Sequence, residues 1–553
     1  MLHIHSGPLE AKVAIIGEAP GEQEIKYSIP FVGNSGKLLT EMLFQAGFNR
    51  NACWIGNCTS ARPPENDIKH FFAGVREAAT LHLPVCNNLH PKKPLSEGID
   101  FLTRVLRGMK PNLIITLGNT PLWALTGNTG ITKWRVSVIE SPYGKLICTI
   151  HPADVFQQYH WKHVIIQDLR RARLEADSPE IRIPNYNFQL LPSFEAVKTT
   201  LQCLIASRQI IAVDIETAFR HISCIGIAWS PIDAICIPFF RRPAESIYTL
   251  EEEMEIILLL RQLCRGNPTI WHNGMFDTQY IARRWGFLPT DIHDTMLMQH
   301  VSFPGMLGGK LDPVTSKEQK SGSSQSLRFI SSMYCSFYRY WKDDGKILDN
   351  YITGDLEKHW RYNCEDCVRT FECFFVLKEA LETRDLWNQY EFQRSLIPSA
   401  LQMMFRGVQI DTDAHDRLKK QVADESKQEL DWIEAALGQP FDPASSTQMK
   451  ALFYTELKCK PVFHRKTKQP TLDDDALTNI KKRYPVLEPL VKHIEKWRSL
   501  QVLKNTFLTA AVSPDGKMRF AYNLTGTTTF RFSSSENAFE EGTNMQNLPK
   551  IRD

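Results

Sequence analysis

Residues 209–228 read Gln209-Ile210-Ile211-Ala212-Val213-Asp214-Ile215-Glu216-Thr217-Ala218-Phe219-Arg220-His221-Ile222-Ser223-Cys224-Ile225-Gly226-Ile227-Ala228. The apolar run from Gln209 to Val213 predicts a strand, and Cys224 to Ala228 predicts the next one. Asp214 and Glu216 are two positions apart, so on an extended chain they lie on the same side. Two acids at a strand end are commonly a solvated turn. Held close together, like charges need compensation, and hard divalent cations such as Mg²⁺ suit anionic oxygens. What the pair does is therefore decided by the rest of the chain.

The chain has 553 residues, 43% hydrophobic and 10% aromatic, enough for three or four domains with cores of their own. A formal net charge of +3 does not by itself announce a polyanionic partner. It is compatible with acids gathered at a metal site and bases spread along a groove. Thirteen cysteines in no regular framework point to a reducing compartment, and the expected location is the cytoplasm. No apolar run reaches the roughly 18 residues of a membrane span, and no signal peptide is visible, so no membrane association is expected.

Downstream of the opening stretch, Pro268-Thr269-Ile270-Trp271 leads into His272-Asn273-Gly274-Met275-Phe276-Asp277, with Asp277 early on a helix that continues to Arg284. Asp294 precedes another helical stretch and reads as its cap. Tyr362 and Asp366 are four apart within a third helix and so share a face. Ser321 to Leu327 reads as a loop running into a helix cap. In this order the residues resemble the proofreading 3′→5′ exonuclease domain of DNA polymerases, of the DEDD type with tyrosine. The resemblance runs from residue 210 to about 375 and implies a ribonuclease H-like fold. It implies Asp214, Glu216, Asp277 and Asp366 as ligands of two Mg²⁺ or Mn²⁺ ions. Tyr362 would orient the attacking water, Asn273 would steady the second acidic loop, and single-stranded 3′ ends would be the substrate.

Towards the N-terminus, apolar strands alternate with helical segments, which predicts an α/β domain with a mainly parallel sheet. Its conspicuous polar residues follow strands: Glu18 after Val13-Ala14-Ile15-Ile16, Asn57 after Cys53-Trp54-Ile55-Gly56, and His151 after Leu146 to Ile150. Such folds bind ligands outside the carboxyl ends of their strands. Gly17-Glu18-Ala19-Pro20-Gly21 lacks the Lys-Ser/Thr ending of a phosphate loop. Together with Pro30-Phe31-Val32-Gly33-Asn34, these pieces resemble the uracil-DNA glycosylase superfamily, closest to its iron–sulfur branch. The resemblance covers about residues 13 to 170 and implies an α/β/α sandwich. Glu18 would position water, Phe31 would stack on a flipped base, Asn57 would read the uracil edge, and His151 would stabilise the leaving base. No cysteine precedes Cys53, so an iron–sulfur cluster is not expected in the usual place. A set made of Cys53, Cys58, Cys86 and Cys148 is the alternative. The domain is either an active glycosylase or a retained scaffold that recognises template or docks a partner.

The last third is mainly helical. Gly407 ends one helix, further helical patterns follow from Thr412, and a basic edge with Lys496, Arg498 and Lys504 reads as a solvated face. Arg519 to Asn523, Thr525 to Ser535 and Asn544-Met545-Gln546-Asn547-Leu548-Pro549 resemble the thumb and the beginning of the palm of bacterial-type, phage-like family A DNA polymerases. That resemblance implies Arg531, Ser534, Gln546 and Asn547 as residues holding primer–template DNA. The first catalytic palm motif, an Asp followed by Tyr-Ser, is not reached before Asp553. The expectation is a chain that does not polymerise alone. It is either the first of two polypeptides, with a partner carrying palm and fingers, or an N-terminal piece, and in either case a phage protein acting in the bacterial cytoplasm.

The expected organisation is thus a glycosylase-like domain at 1–180, a linker at 181–198, an exonuclease domain at 199–380, and thumb with the start of the palm at 381–553. The competing reading is a DNA-binding or modified-base-recognition module with little catalysis of its own.

Overall fold

The computed structural model describes residues 4–83, 85–242, 245–304, 324–345, 355–464 and 469–548. The chain forms two compact units, Met1–Arg394 and Ser395–Asp553.

The first unit contains two six-stranded sheets. Strands β1 (His5–Ser6), β2 (Val13–Gly17), β3 (Trp54–Asn57), β4 (Leu113–Leu117), β5 (Val138–Ser141) and β6 (Gly144–Thr149) make the first, in the order β1-β3-β2-β4-β6-β5. Its four central strands are parallel and both edge strands are antiparallel. Central strands buried on both faces read as continuous apolar runs, and Ile15, Ile16, Ile114, Ile115 and Leu146 are fully buried. Helices α1 (Asn34–Gln45), α2 (Lys93–Met109) and α3 (Trp161–Glu175) supply Leu39, Leu102 and Leu169 to the same core.

The second sheet contains β7 (Asn187–Gln189), β8 (Ile211–Ala218), β9 (His221–Ala228), β10 (Asp233–Pro238), β11 (Thr269–Trp271) and β12 (Ile292–Asp294), ordered β12-β11-β8-β9-β10-β7. The strand β8 lies in the interior, antiparallel to β9 and parallel to β11. The β8–β9 register slips between Glu216 and Thr217, a local irregularity of the kind that re-aims side chains beside functional sites. The helices that accompany this sheet include α4 (Gly274–Trp285), α5 (Thr295–Ser302), α6 (Leu327–Tyr334) and α7 (Leu356–Thr383). Trp360, Cys364, Cys367, Phe371 and Phe374 recur at helical spacing on α7 and are buried.

Gly226 lets α7 lie close on β9. A Cβ there would stand 2.5 Å from Asn363 Oδ1 and 2.6 Å from Cys367 Sγ. Gly226→Ala is therefore expected to destabilise the chain by about 1–3 kcal/mol through overpacking, read by denaturant unfolding. An unchanged midpoint would contradict this account of the contact.

The structure differs from two of the expected boundaries. The stretch 181–198 is not a plain linker, because Asn187–Gln189 pairs with Asp233–Ile235 as an edge strand and helix Phe194–Ser207 begins within it. The boundary at 380 falls inside α7, which runs to Thr383. The first unit then extends to Arg394. Tyr390 hydroxyl lies 3.0 Å from His293 Nδ1 and accepts from Asp294 N at 3.2 Å, and Arg394 donates to Asp291 at 2.5 Å.

The second unit is mostly helical. Its helices α8 (Thr412–Leu437) and α9 (Glu488–Val502) contribute Ile433, Val491, Ile494 and Trp497 to one core. Gly407, at φ +66°, ends the helix Ile397–Arg406 as expected. Two short antiparallel pairs follow, Val408–Gln409 with Lys517–Met518 and Ala521–Asn523 with Ser533–Ser535. No helix among the described residues is long and apolar enough to cross a membrane.

Candidate functional sites

The acids of β8 meet those of the helices around it. Ligand oxygens of Asp214, Glu216 and Asp366 lie within 4.8 Å of one another. Asp277, buried in the first turn of α4, accepts from Ile215 N at 3.1 Å and so stands against the strand between the two β8 acids. Asn273 contributes through its backbone, left-handed at φ +64°, which turns the chain from β11 into α4. Asp294 is a cap: its carboxylate accepts from Met296 N (2.8 Å), Leu297 N (3.3 Å), Gly274 N (2.9 Å) and Asn273 N (3.2 Å). It thereby fastens the start of α5 to the turn that carries Asp277. Tyr362 sits one turn before Asp366 on α7, its hydroxyl accepting from Lys342 Nζ at 2.8 Å.

Burial drives the electrostatics of this cluster. It pushes the Asp214 and Glu216 carboxyls well above their usual range, and the neighbouring carboxylates push them further. Asp277 is raised to about 7, chiefly by burial and against the pull of the Ile215 N–H. Burial together with the acids also raises the Tyr362 phenol, which stays protonated. A set of half-buried to buried oxygens that repel one another in the absence of a cation, with no sulfur or imidazole among them, fits a hard divalent ion.

The sign of the pH effect follows from Asp277. A folded-state value of about 7 exceeds the ordinary aspartate value of about 4. Between the two, the folded chain keeps a proton that the unfolded chain has lost. In the metal-free protein this contribution to stability is present at low pH and is lost as pH rises through about 7. A bound cation favours the ionised form, so Mg²⁺ is expected to raise the melting temperature more at about pH 8 than at about pH 5.5. Equal shifts at both would contradict this.

Three residues of this site were not singled out in the sequence. Asn363 donates from Nδ2 to Asp214 Oδ2 (2.8 Å) and Asp214 O (3.2 Å), fixing that carboxylate. Trp341 Nε1 donates to Asp366 Oδ1 and Lys342 Nζ to Asp366 Oδ2, each at 2.5 Å. Asn363 lay within the Tyr-x-x-x-Asp stretch, one residue after the tyrosine, and that position was the available signal. Ser326 caps α6, accepting from Phe329 N at 3.4 Å; residues 321–323 of the expected loop lie outside the described residues.

In the first sheet, the polar residues gather at the carboxyl ends of the parallel strands. Gly17 ends β2 and pairs with Asn57, the last residue of β3. Gly17 cannot carry a side chain here: a Cβ would stand 2.3 Å from Asn57 Oδ1 and 2.5 Å from Phe31 Cζ. Both amide atoms of Asn57 are buried and, among the described residues, make no hydrogen bond of good geometry, although the amide interacts with the Glu24 carboxyl. The amide favours the ionised Glu24 carboxyl nearby, although burial leaves that carboxyl raised overall. Phe31, left-handed at φ +54° and buried, places its ring centroid 6.0 Å from that of His151. His151 Nδ1 accepts from Ala153 N at 3.2 Å, and burial lowers its pKa to about 4. The neutral imidazole therefore carries its proton on Nε2. Glu18 Oε2 accepts from Thr120 Oγ1 at 2.5 Å, and burial raises its carboxyl. Cys53 and Cys58 are buried with their thiols pushed up, Cys53 to about 11. Among the described residues they do not form a ligand cluster with Cys86 and Cys148.

In the second unit, Arg531, Gln546 and Asn547 are exposed. Ser534, expected to touch DNA, is instead buried. Its hydroxyl donates to Asn544 Oδ1 at 2.9 Å and accepts from Gln546 N at 3.3 Å, which orders the loop bearing Gln546. Pro549 lies outside the described residues. On α9, Lys496 pairs with Glu429 at 2.7 Å and Arg498 donates to the carbonyls of Pro443 and Leu472, so this edge is partly engaged within the unit.

Two family profiles match the chain: Uracil DNA glycosylase superfamily over residues 4–170 and DNA polymerase family A over residues 412–553. A DNA polymerase of Bacillus phage SP01 is 21% identical over 99% of this chain and 64% of its own length. The Type-4 uracil-DNA glycosylase of Thermotoga maritima is 29% identical over 31% of this chain and 80% of its own. Among solved structures, the POL domain of Pol1 from M. smegmatis, in complex with DNA primer-template and dNTP, aligns at 18% identity and a TM-score of 0.47, covering 66% of this chain and 57% of that one. The chain thus spans 64% of the phage polymerase it matches from end to end.

Proposed function

We propose, for a chain in which a domain of the uracil-DNA glycosylase superfamily is joined to a family A DNA polymerase region, that the second sheet and its helices form a metal-dependent 3′→5′ exonuclease. The first domain reads and excises uracil, and the second unit is thumb with the start of the palm. The observation that carries the exonuclease is the convergence of Asp214, Glu216 and Asp366 within 4.8 Å, with Asp277 against the same strand. The sheet supports the ribonuclease H-like reading: an antiparallel run β8-β9-β10 continues through β8 into the parallel strands β11 and β12.

Asp214, Glu216, Asp277 and Asp366 would hold two Mg²⁺ or Mn²⁺ ions. When bound, these supply charge neutralisation at the attacking and leaving oxygens of an in-line displacement at a 3′-terminal phosphodiester. The chain's own part is positional. Asn363 and the Ile215 N–H fix the carboxylates of Asp214 and Asp277. Tyr362, protonated across the physiological range, offers a hydroxyl that orients the water and takes no proton from it.

In the first domain, the buried, under-satisfied Asn57 amide offers a donor and an acceptor to an imide edge, and Phe31 offers a face for stacking. Thr120 fixes one Glu18 oxygen and the other positions water for attack at C1′. As the N-glycosidic bond breaks, its electron pair leaves with the base, and the water proton passes to Glu18. The Nε2–H of neutral His151 donates to the anionic uracil oxygen.

The test incubates the full chain with single-stranded DNA and Mg²⁺, with and without a chelator. Shortening from the 3′ end that the chelator stops supports the exonuclease. Tight DNA binding with no shortening supports the binding-module reading in its place.

A further inference from the structure

The four acids and the tyrosine leave a neighbouring segment unexplained. Residues 335–343 follow α6 and run past the acid cluster. On one side, Trp341 and Lys342 take both oxygens of Asp366, and Lys342 also reaches the Tyr362 hydroxyl at 2.8 Å. Trp341 is 3% exposed. Arg369, one turn beyond Asp366 on α7, donates to the Phe337 carbonyl. The segment thus grips the helix that carries two of the site's functional groups.

Its other side is bound to the first domain, at the free edge of the first sheet. Val138 N of β5 donates to Tyr338 O at 3.0 Å, and Tyr340 N donates to Ser137 Oγ at 2.9 Å. Lys133 pairs with Asp343 and stands 4.9 Å from the centroid of the Tyr340 ring. The Trp134 and Tyr340 ring centroids are 4.9 Å apart. At the start of the segment, Arg171 donates to the Cys335 carbonyl. Arg135, locked to buried Asp168 at 2.8 Å, donates to Ser332 Oγ at 2.6 Å. Backbone, ion-pair and aromatic contacts therefore converge on nine residues whose far side holds Asp366.

We propose that the segment 335–343 is a positioning element of the exonuclease centre and that the edge of the glycosylase-like domain is the scaffold that holds it. The first domain has a second role, independent of base excision: it builds part of the neighbouring active site. Trp341 and Lys342 orient Asp366 and Tyr362, and Ser137, Lys133 and the β5 edge orient Trp341 and Lys342. The charge of Lys342 also offsets part of the repulsion between the acids, since it favours the ionised forms of Asp214 and Glu216. A loosened segment leaves the substrate strand free to bind but misplaces the reacting groups, and small misplacements of reacting groups are costly in rate.

This inference rests on the exonuclease reading, and the experiment separates the two. The wild-type 553-residue chain is compared with Lys133→Ala/Ser137→Ala, Trp341→Phe, Lys342→Ala and Lys342→Arg. Cleavage of a 5′-labelled single strand is followed against strand and Mg²⁺ concentration, with melting temperature and uracil release measured in parallel. The first-domain double variant is expected to lose at least about tenfold in kcat, with KM for the strand unchanged within about twofold. Its half-saturating Mg²⁺ concentration rises, and uracil release is retained. Trp341→Phe keeps the ring volume and removes the N–H. It gives the same pattern at an unchanged melting temperature, which excludes loss of folding as the cause. Lys342→Arg keeps more activity than Lys342→Ala. An active wild type whose double variant and Trp341→Phe variant match it in kcat and Mg²⁺ dependence overturns the inference alone. A wild type that shortens no strand overturns the exonuclease reading and this inference with it.

Discussion

Asp214→Ala is expected to lower Mg²⁺-dependent 3′-end cleavage by at least about a thousandfold, or about 4 kcal/mol of transition-state stabilisation. The same substitution should leave the metal-free protein as stable as wild type or more so. Asp214 lies on an interior strand, is held by Asn363, and has its carboxyl raised by burial and by Asp366 and Asp277. Removing it relieves the repulsion within the cluster and takes away a proposed ligand oxygen in one step. A structural acid would behave in the opposite way, with melting temperature falling and activity following it. Kinetics and thermal melting in chelator measure the two quantities. Loss of activity that only tracks a loss of folding would count against the assignment.

The second large effect concerns the first domain. Glu18→Ala combined with Asn57→Ala is expected to bring release of free uracil from uracil-containing DNA to background, with 3′-end cleavage retained. Asn57 is the more informative half. Its buried amide makes no hydrogen bond of good geometry among the described residues and only interacts with the Glu24 carboxyl, an under-satisfied arrangement that costs stability unless a ligand uses it. Asn57→Ala alone is therefore expected to cost little stability while lowering uracil release by on the order of a hundredfold or more, as the proposed role of the amide requires. Wild-type release no greater than that of the double variant would remove excision from the account and leave the domain its scaffold role.

Much of this was legible in the sequence where function requires a fixed residue type on a regular element. Asp214 and Glu216 share a side because strands alternate. Tyr362 and Asp366 share a face because helices repeat near every four residues. Glu18, Asn57 and His151 all follow strands, where parallel sheets place ligands. Gly407 was readable as a helix stop because its conformation is one that few other residues adopt. What stayed hidden depends on distant partners. Trp341 and Lys342 lie in a segment with no periodicity and meet Asp366, 25 and 24 residues later in the chain. Asn363 differs from any helical asparagine only in having β9 glycine, Gly226, beneath it. The strand Asn187–Gln189 has three residues in a polar, proline-containing stretch, and pairing with β10 rather than propensity makes it a strand. Ser534 was expected to hold DNA only through the polymerase resemblance, and the sequence alone carried no sign that its hydroxyl engages the loop from Asn544 to Gln546.

The central claim is that the acids gathered on β8, α4 and α7 cut DNA from a 3′ end. The most direct measurement incubates the full chain with a 5′-labelled single strand and Mg²⁺ and resolves the products over time. The expected result is a ladder that shortens one nucleotide at a time from the 3′ end and stops on addition of chelator. A strand that stays intact, or is cut at internal positions with no progression from its 3′ end, would contradict it.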